Sequence, residues 1–139
     1  MMIETSSDSQ QMRLAVVLMP GLATGEAVNA AAVVTGALRS DAFCPAIQDK
    51  DGRPHAAILW NLVVLYAKTA SQLTRLFATD QSVQVVAFSR DGQGFSNSFA
   101  AYEDYIGGKA SAEIDVIAVG LYGPDPVVRS LTKSFSVYK

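Results

Sequence analysis

The side chains that could do chemistry in this chain are few, and they fall into three stretches. The first is Ser89-Arg90-Asp91-Gly92-Gln93-Gly94, which follows the apolar run Val83-Gln84-Val85-Val86-Ala87-Phe88. If that run is a strand of an open α/β sheet, Asp91 lies beyond its carboxyl end, where such folds collect ligands. A carboxylate there can orient a water or a substrate amine, and Gly92 and Gln93 beside it are candidate substrate contacts. The second is Asp49-Lys50-Asp51-Gly52-Arg53-Pro54-His55. It holds the only histidine, so any imidazole acting as a general base must be His55. Asp49 and Asp51 beside it suggest a cation loop, but Gly52 comes too early and no Glu closes the pattern, so a solvated turn is favoured and no metal is expected. The third is Tyr102-Glu103-Asp104-Tyr105, two acids and two phenols close in sequence to Asp91, readable as a lid over the site or as a capping helix with a solvated acidic face.

Cysteine chemistry is limited in the same way. Cys44 is the only cysteine, so an intrachain disulfide or a thiolate metal cluster is excluded. No cation adjoins it in sequence to lower its pKa, and a buried structural thiol is the expectation.

The elements that position these groups can be read from periodicity. Leu14 to Met19 is a continuous apolar run, as in a strand covered on both faces. Pro20-Gly21 ends it. Thr24 is a candidate N-cap with Glu26 in the first turn, and an Ala-rich helix follows in which Val28, Ala31, Thr35 and Leu38 share one face. Asn29 interrupts that helix near its start, where its amide could meet a ligand or a neighbouring carbonyl. The loop lacks both glycine-rich nucleotide patterns, so no cofactor is expected. Asp51-Gly52 marks a hairpin turn. Ala56 to Trp60 and Leu62 to Tyr66 read as one bent strand or two strands meeting at a bulge. Ser71 opens a short helix with Leu73, Leu76 and Phe77 inward. Phe99, Tyr102 and Ile106 share a helical face that Gly107-Gly108 ends. Ile114 to Gly120 is another strand, Asp125-Pro126 starts a helix, and Phe135 to Tyr138 alternates as an edge strand.

Composition narrows the function. The 139 residues allow one domain over 13–139, after a polar tail at 1–12. Half the residues are hydrophobic and 17% are charged, which excludes a disordered chain. The net charge is −2 and the Lys and Arg residues are scattered, so a nucleic-acid partner is not expected. No run reaches the ~20 apolar residues of a membrane span, and no secretory leader is visible, so a cytoplasmic protein is expected.

The order of these pieces resembles the type II peptidyl-tRNA hydrolase fold, and more closely a domain-of-unknown-function family in that clan. Arg13 to Leu18 with Gly25 and the Ala-rich helix carry the resemblance, together with Val85 to Asp91 and Ile114 to Tyr138. It implies an α/β fold with a mixed twisted sheet and helices on both faces. In that hydrolase family a catalytic lysine sits in a Gly-Lys-Gly-Lys context after the first strand; the matching positions here read Gly25-Glu26-Ala27-Val28. The family's catalytic Asp matches Asp91. Three functions follow as expectations. One is a binder of a small molecule or a peptide end, contacted by Asn29, Glu26, Asp49, Gly92, Gln93 and Tyr102, with Asp91 and His55 as catalytic residues if it is a hydrolase. The second is a homodimeric module without chemistry, paired through the thin helix and the edge strand at Phe135. The third is residual peptidyl-tRNA hydrolysis.

Overall fold

The run Leu14 to Leu18 is wholly buried, and the reason is its place in the sheet. In the computed structural model, which describes residues 10–78, 82–95 and 98–138, strand β1 (Met12–Leu18) is the middle strand of five. The hairpin strands β2 (Phe43–Gln48) and β3 (Pro54–Ile58) form a separate two-stranded sheet. β4 (Asn61–Tyr66), β5 (Gln84–Ser89), β6 (Val116–Pro124) and β7 (Ser136–Val137) complete the main sheet in the order β5-β6-β1-β4-β7. β1 and β4 are parallel, while the other pairings are antiparallel, so the sheet is mixed.

The two-residue period of a strand sends alternate side chains to opposite faces, and here each face meets helices. Leu14, Val16 and Leu18 point to α1 (Thr24–Ala37), whose Ala27, Ala30 and Val34 are buried against them. Ala15 and Val17 point the other way, into a core shared with Leu73 and Leu76 of α2 (Ala70–Phe77) and Val128 of α4 (Asp125–Thr132). The small residues of α1 let it lie close to the sheet. A Cβ at Gly120 of β6 would stand 2.2 Å from Val34 Cγ1, so only glycine fits under the helix there.

This close approach also turns the helix away from its expected orientation. The inward stripe is Ala27, Ala30, Val34 and Leu38, and Val28 is 64% exposed. The cap is Ala23, with the Glu26 carboxylate accepting from the Ala23 amide at 3.1 Å, in place of Thr24. α2 is capped by Thr69, whose hydroxyl accepts from the Gln72 amide, in place of Ser71. Ala56 to Tyr66 is neither one bent strand nor a bulge: it divides between β3 and β4, which belong to different sheets. The expected tail lies mostly outside the described residues, as does the Cys44 side chain.

Beyond β5 the chain enters a 3₁₀ turn (Arg90–Phe95), then α3 (Phe99–Gly107) and a second 3₁₀ turn (Ser111–Glu113) before β6. None of the residues of α3 is buried. Among the described residues no helix is long and apolar enough to cross a membrane.

Candidate functional site

Two clusters of functional side chains form at the carboxyl end of β5, and a third lies on the hairpin. The first links the start of α1 to the 3₁₀ turn. Gln93 Nε2 donates to the Glu26 carbonyl and to Asn29 Oδ1, both at 3.2 Å. Arg90 follows β5, where its guanidinium lies 3.4 Å from Glu26 Oε2 and 3.0 Å from Asp115 Oδ2. Glu26, Asn29 and Gln93 are therefore brought together, and the cation among them already faces two carboxylates.

The second cluster seats α3. The Tyr105 hydroxyl donates to Asp91 Oδ2 at 2.5 Å. That hydrogen bond, with desolvation adding to it, holds the Tyr105 phenol above its ordinary pKa. Phe95 lies between Tyr102 and Tyr105, with ring centroids at 5.5 and 5.4 Å, and the Lys109 ammonium sits 4.9 Å from the Tyr105 ring centroid. Asp91 is thus held by a phenol from the helix above it.

His55 Nε2 lies 2.8 Å from Asp49 Oδ2 on the hairpin. Asp49 also accepts from the Asp51 and Arg53 amides. The His55 contact first, and then these backbone bonds, hold its carboxyl below the usual range. Among the described residues no hydrogen bond or ion pair joins the Asp49–His55 pair to Asp91. No group of three or more His, Cys, Asp or Glu side chains among them could hold a metal ion.

Beneath α3 lies a cavity of about 470 Å³. Its walls are apolar: Phe77 from α2, Ala87 from β5, Phe99 and Ile106 from α3, and Ile114 and Val116 leading into β6. Ser89 and Tyr102 line it too, with Glu103 among the lining residues. Ser89 Oγ, on a residue 1% exposed, accepts from the Gly92 amide at 3.0 Å and lies 3.1 Å from the Tyr102 hydroxyl. A Cβ at Gly92 would fall 2.4 Å from Phe88 Cε1 and 2.9 Å from the Tyr102 oxygen. The turn therefore closes onto Ser89 only with glycine in that place. Volume and lining match small-molecule sites, which run ~300–1,000 Å³ with apolar walls and few polar groups.

Sequence reasoning named Gly92 and Tyr102 but missed Ser89. The signal was parity: Val85, Ala87 and Ser89 alternate onto one face of β5, so a hydroxyl ends an otherwise apolar row. Phe77, Ile114 and Val116 carried no comparable signal, because they reach the cavity from separate elements.

Residues 12–139 match the family described as protein of unknown function, DUF2000. The chain belongs to the DUF2000 family. No curated protein matches it. A solved structure of a protein of unknown function from Agrobacterium tumefaciens is similar to this DUF2000 chain, with a TM-score of 0.77 and 15% identity over 93% of this chain and 98% of that one. At that identity the likeness shows a shared α/β fold, and the DUF2000 match adds no activity to it.

Proposed function

We propose that this chain is a divergent, cytoplasmic member of the type II peptidyl-tRNA hydrolase-like fold that binds a small, mostly apolar molecule beneath α3. The observation that carries this reading is the apolar cavity with the Ser89 and Tyr102 hydroxyls converging in its wall. α3 presents Phe99, Tyr102 and Ile106 to that space and buries none of its own residues, as suits a helix whose apolar face is completed by a ligand. The neutral dye N-phenylnaphthylamine tests it: fluorescence rises on binding, and Ala87→Phe, which fills the cavity, weakens the dye at least tenfold. Equal binding by a folded Ala87→Phe variant rules the cavity out.

Chemistry is the lesser part of the proposal. Asp91 keeps the position of the resembled family's acid, but its partner is a phenol, and Arg90, the cation near the helix start, faces Glu26 and Asp115. Loss of a free cation at a developing negative charge costs orders of magnitude in rate. We therefore expect no peptidyl-tRNA turnover by the purified protein. Turnover that disappears in Asp91→Asn would instead restore the hydrolase reading.

A second reading, a homodimer, is favoured by α1. It carries no charged residue from Ala27 to Leu38, yet leaves Val28 and Val33 exposed, Val28 on a groove of about 280 Å³ lined also by Leu18, Ala31, Val64 and Tyr138. A helix apolar all round belongs in an interior. The hairpin adds half-exposed Phe43, Ile47 and Ile58, and a two-stranded hairpin left alone is marginal in water. Light scattering is expected to give twice the chain mass, falling to one chain in Val28→Glu/Val33→Glu. A monomer in the unmodified protein ends this reading.

A further inference from the structure

Resting on the cavity reading above, we infer that the ligand carries a neutral hydrogen-bond acceptor, a carbonyl of the ketone, ester or amide kind, on an apolar body. The inference comes from counting protons in the cavity wall. Ser89 Oγ already accepts from the Gly92 amide, and it shares a single hydrogen bond with the Tyr102 hydroxyl. A serine and a phenol have one O–H each. Whichever donates to the other, one proton of the pair stays unused, and among the described residues it has no second acceptor. Ser89 is 1% exposed, so when Tyr102 is the donor the serine proton is buried without a partner, which is costly; when Ser89 is the donor the phenol proton is left on the cavity wall. The pair thus offers a ligand one donated hydrogen bond.

Charge decides the kind of acceptor. No Lys or Arg is among the residues lining the cavity, and Glu103 is. A carboxylate in that space would meet a like charge and lose its hydration without a counter-ion. A carbonyl needs only the one proton the pair supplies. The rest of the lining is apolar and suits an alkyl or aryl body.

The test uses three molecules of similar body, displacing N-phenylnaphthylamine from the full chain: benzylacetone with a ketone, butylbenzene with no head group, and phenylbutyrate with a carboxylate. Phenylbutyrate is expected to bind most weakly. The ratio of ketone to hydrocarbon affinity is expected to fall about fivefold in Ser89→Ala/Tyr102→Phe, the loss of one hydrogen bond. Tyr102→Phe alone should keep the ratio, because Ser89 retains its own proton; if the double variant does not fold, the order of benzylacetone and phenylbutyrate in the unmodified protein decides. An unchanged ratio in a folded double variant, or phenylbutyrate binding tighter than benzylacetone in the unmodified protein, overturns the inference while the cavity reading stands. Displacement by none of the three overturns both.

Discussion

Tyr105 and Asp91 define what single residues do here. The phenol bridges α3 to the turn after β5, and both groups are near the surface, so the bond matters for where α3 sits more than for global stability. Tyr105→Phe is expected to raise amide hydrogen exchange across α3 severalfold while the denaturation midpoint stays where it is; unchanged exchange would mean the ring contacts with Phe95 hold the helix unaided. Because the bond raises the Tyr105 pKa, its contribution is complete below the ordinary phenol value and fades as pH rises through the raised one. Tyr122 shows the same sign more strongly. Burial first, and the hydrogen bond its hydroxyl donates to Asp41, push it up to about 12. The unfolded chain then loses that proton near 10 and the folded chain near 12, so stability should fall with pH across that window. Tyr122→Phe should flatten the fall in an alkaline series of thermal melts.

Among the elements, α1 depends most on its small residues. Its Ala and Gly composition was visible in the sequence, and a helix that thin can lie close to a neighbour. Which residues face inward was not, because in a helix where nearly every position is apolar the stripe is set by the shape of the sheet below. Gly120 records that constraint. Gly120→Ala places a methyl against Val34 Cγ1, and overpacking of this kind costs about 1–3 kcal/mol. Chemical denaturation should show the loss, and Val34→Ala in the same chain should recover part of it. The hairpin turn was also legible. Asp51-Gly52 forms it, with the Gly52 amide donating to the Asp49 carbonyl at 2.9 Å. Its separation from the main sheet was not legible, since a strand's sequence does not say which neighbour it will pair with.

At the level of the whole molecule, helices lie on both faces of the sheet, and they leave space at the cavity beneath α3 and at the groove beside α1. If a ligand fills the cavity, occupancy stabilises the fold by mass action. Saturating benzylacetone should raise the melting temperature of the unmodified protein, by about 3–4 °C for each kcal/mol of stabilisation in a domain of this size. Ala87→Phe should show no such rise. A rise in both would place the ligand elsewhere, such as the groove beside α1.

The sequence by itself determined that this is an α/β protein with a strand covered on both faces, an Ala-rich helix after it and an acid, Asp91, beyond a later strand. Those conclusions rest on local periodicity and turn chemistry, which act within a few residues. Only the tertiary structure decided that Gln93 meets Asn29, 64 positions away, that Arg90 stands between Glu26 and Asp115, and that His55 is bonded to Asp49 within the hairpin. It alone assembled Phe77, Ala87, Ser89, Tyr102 and Ile114 into one cavity. The physical reason is that a cavity is the space side chains leave between elements, and that space depends on how helices and sheet pack over distances that no local pattern encodes.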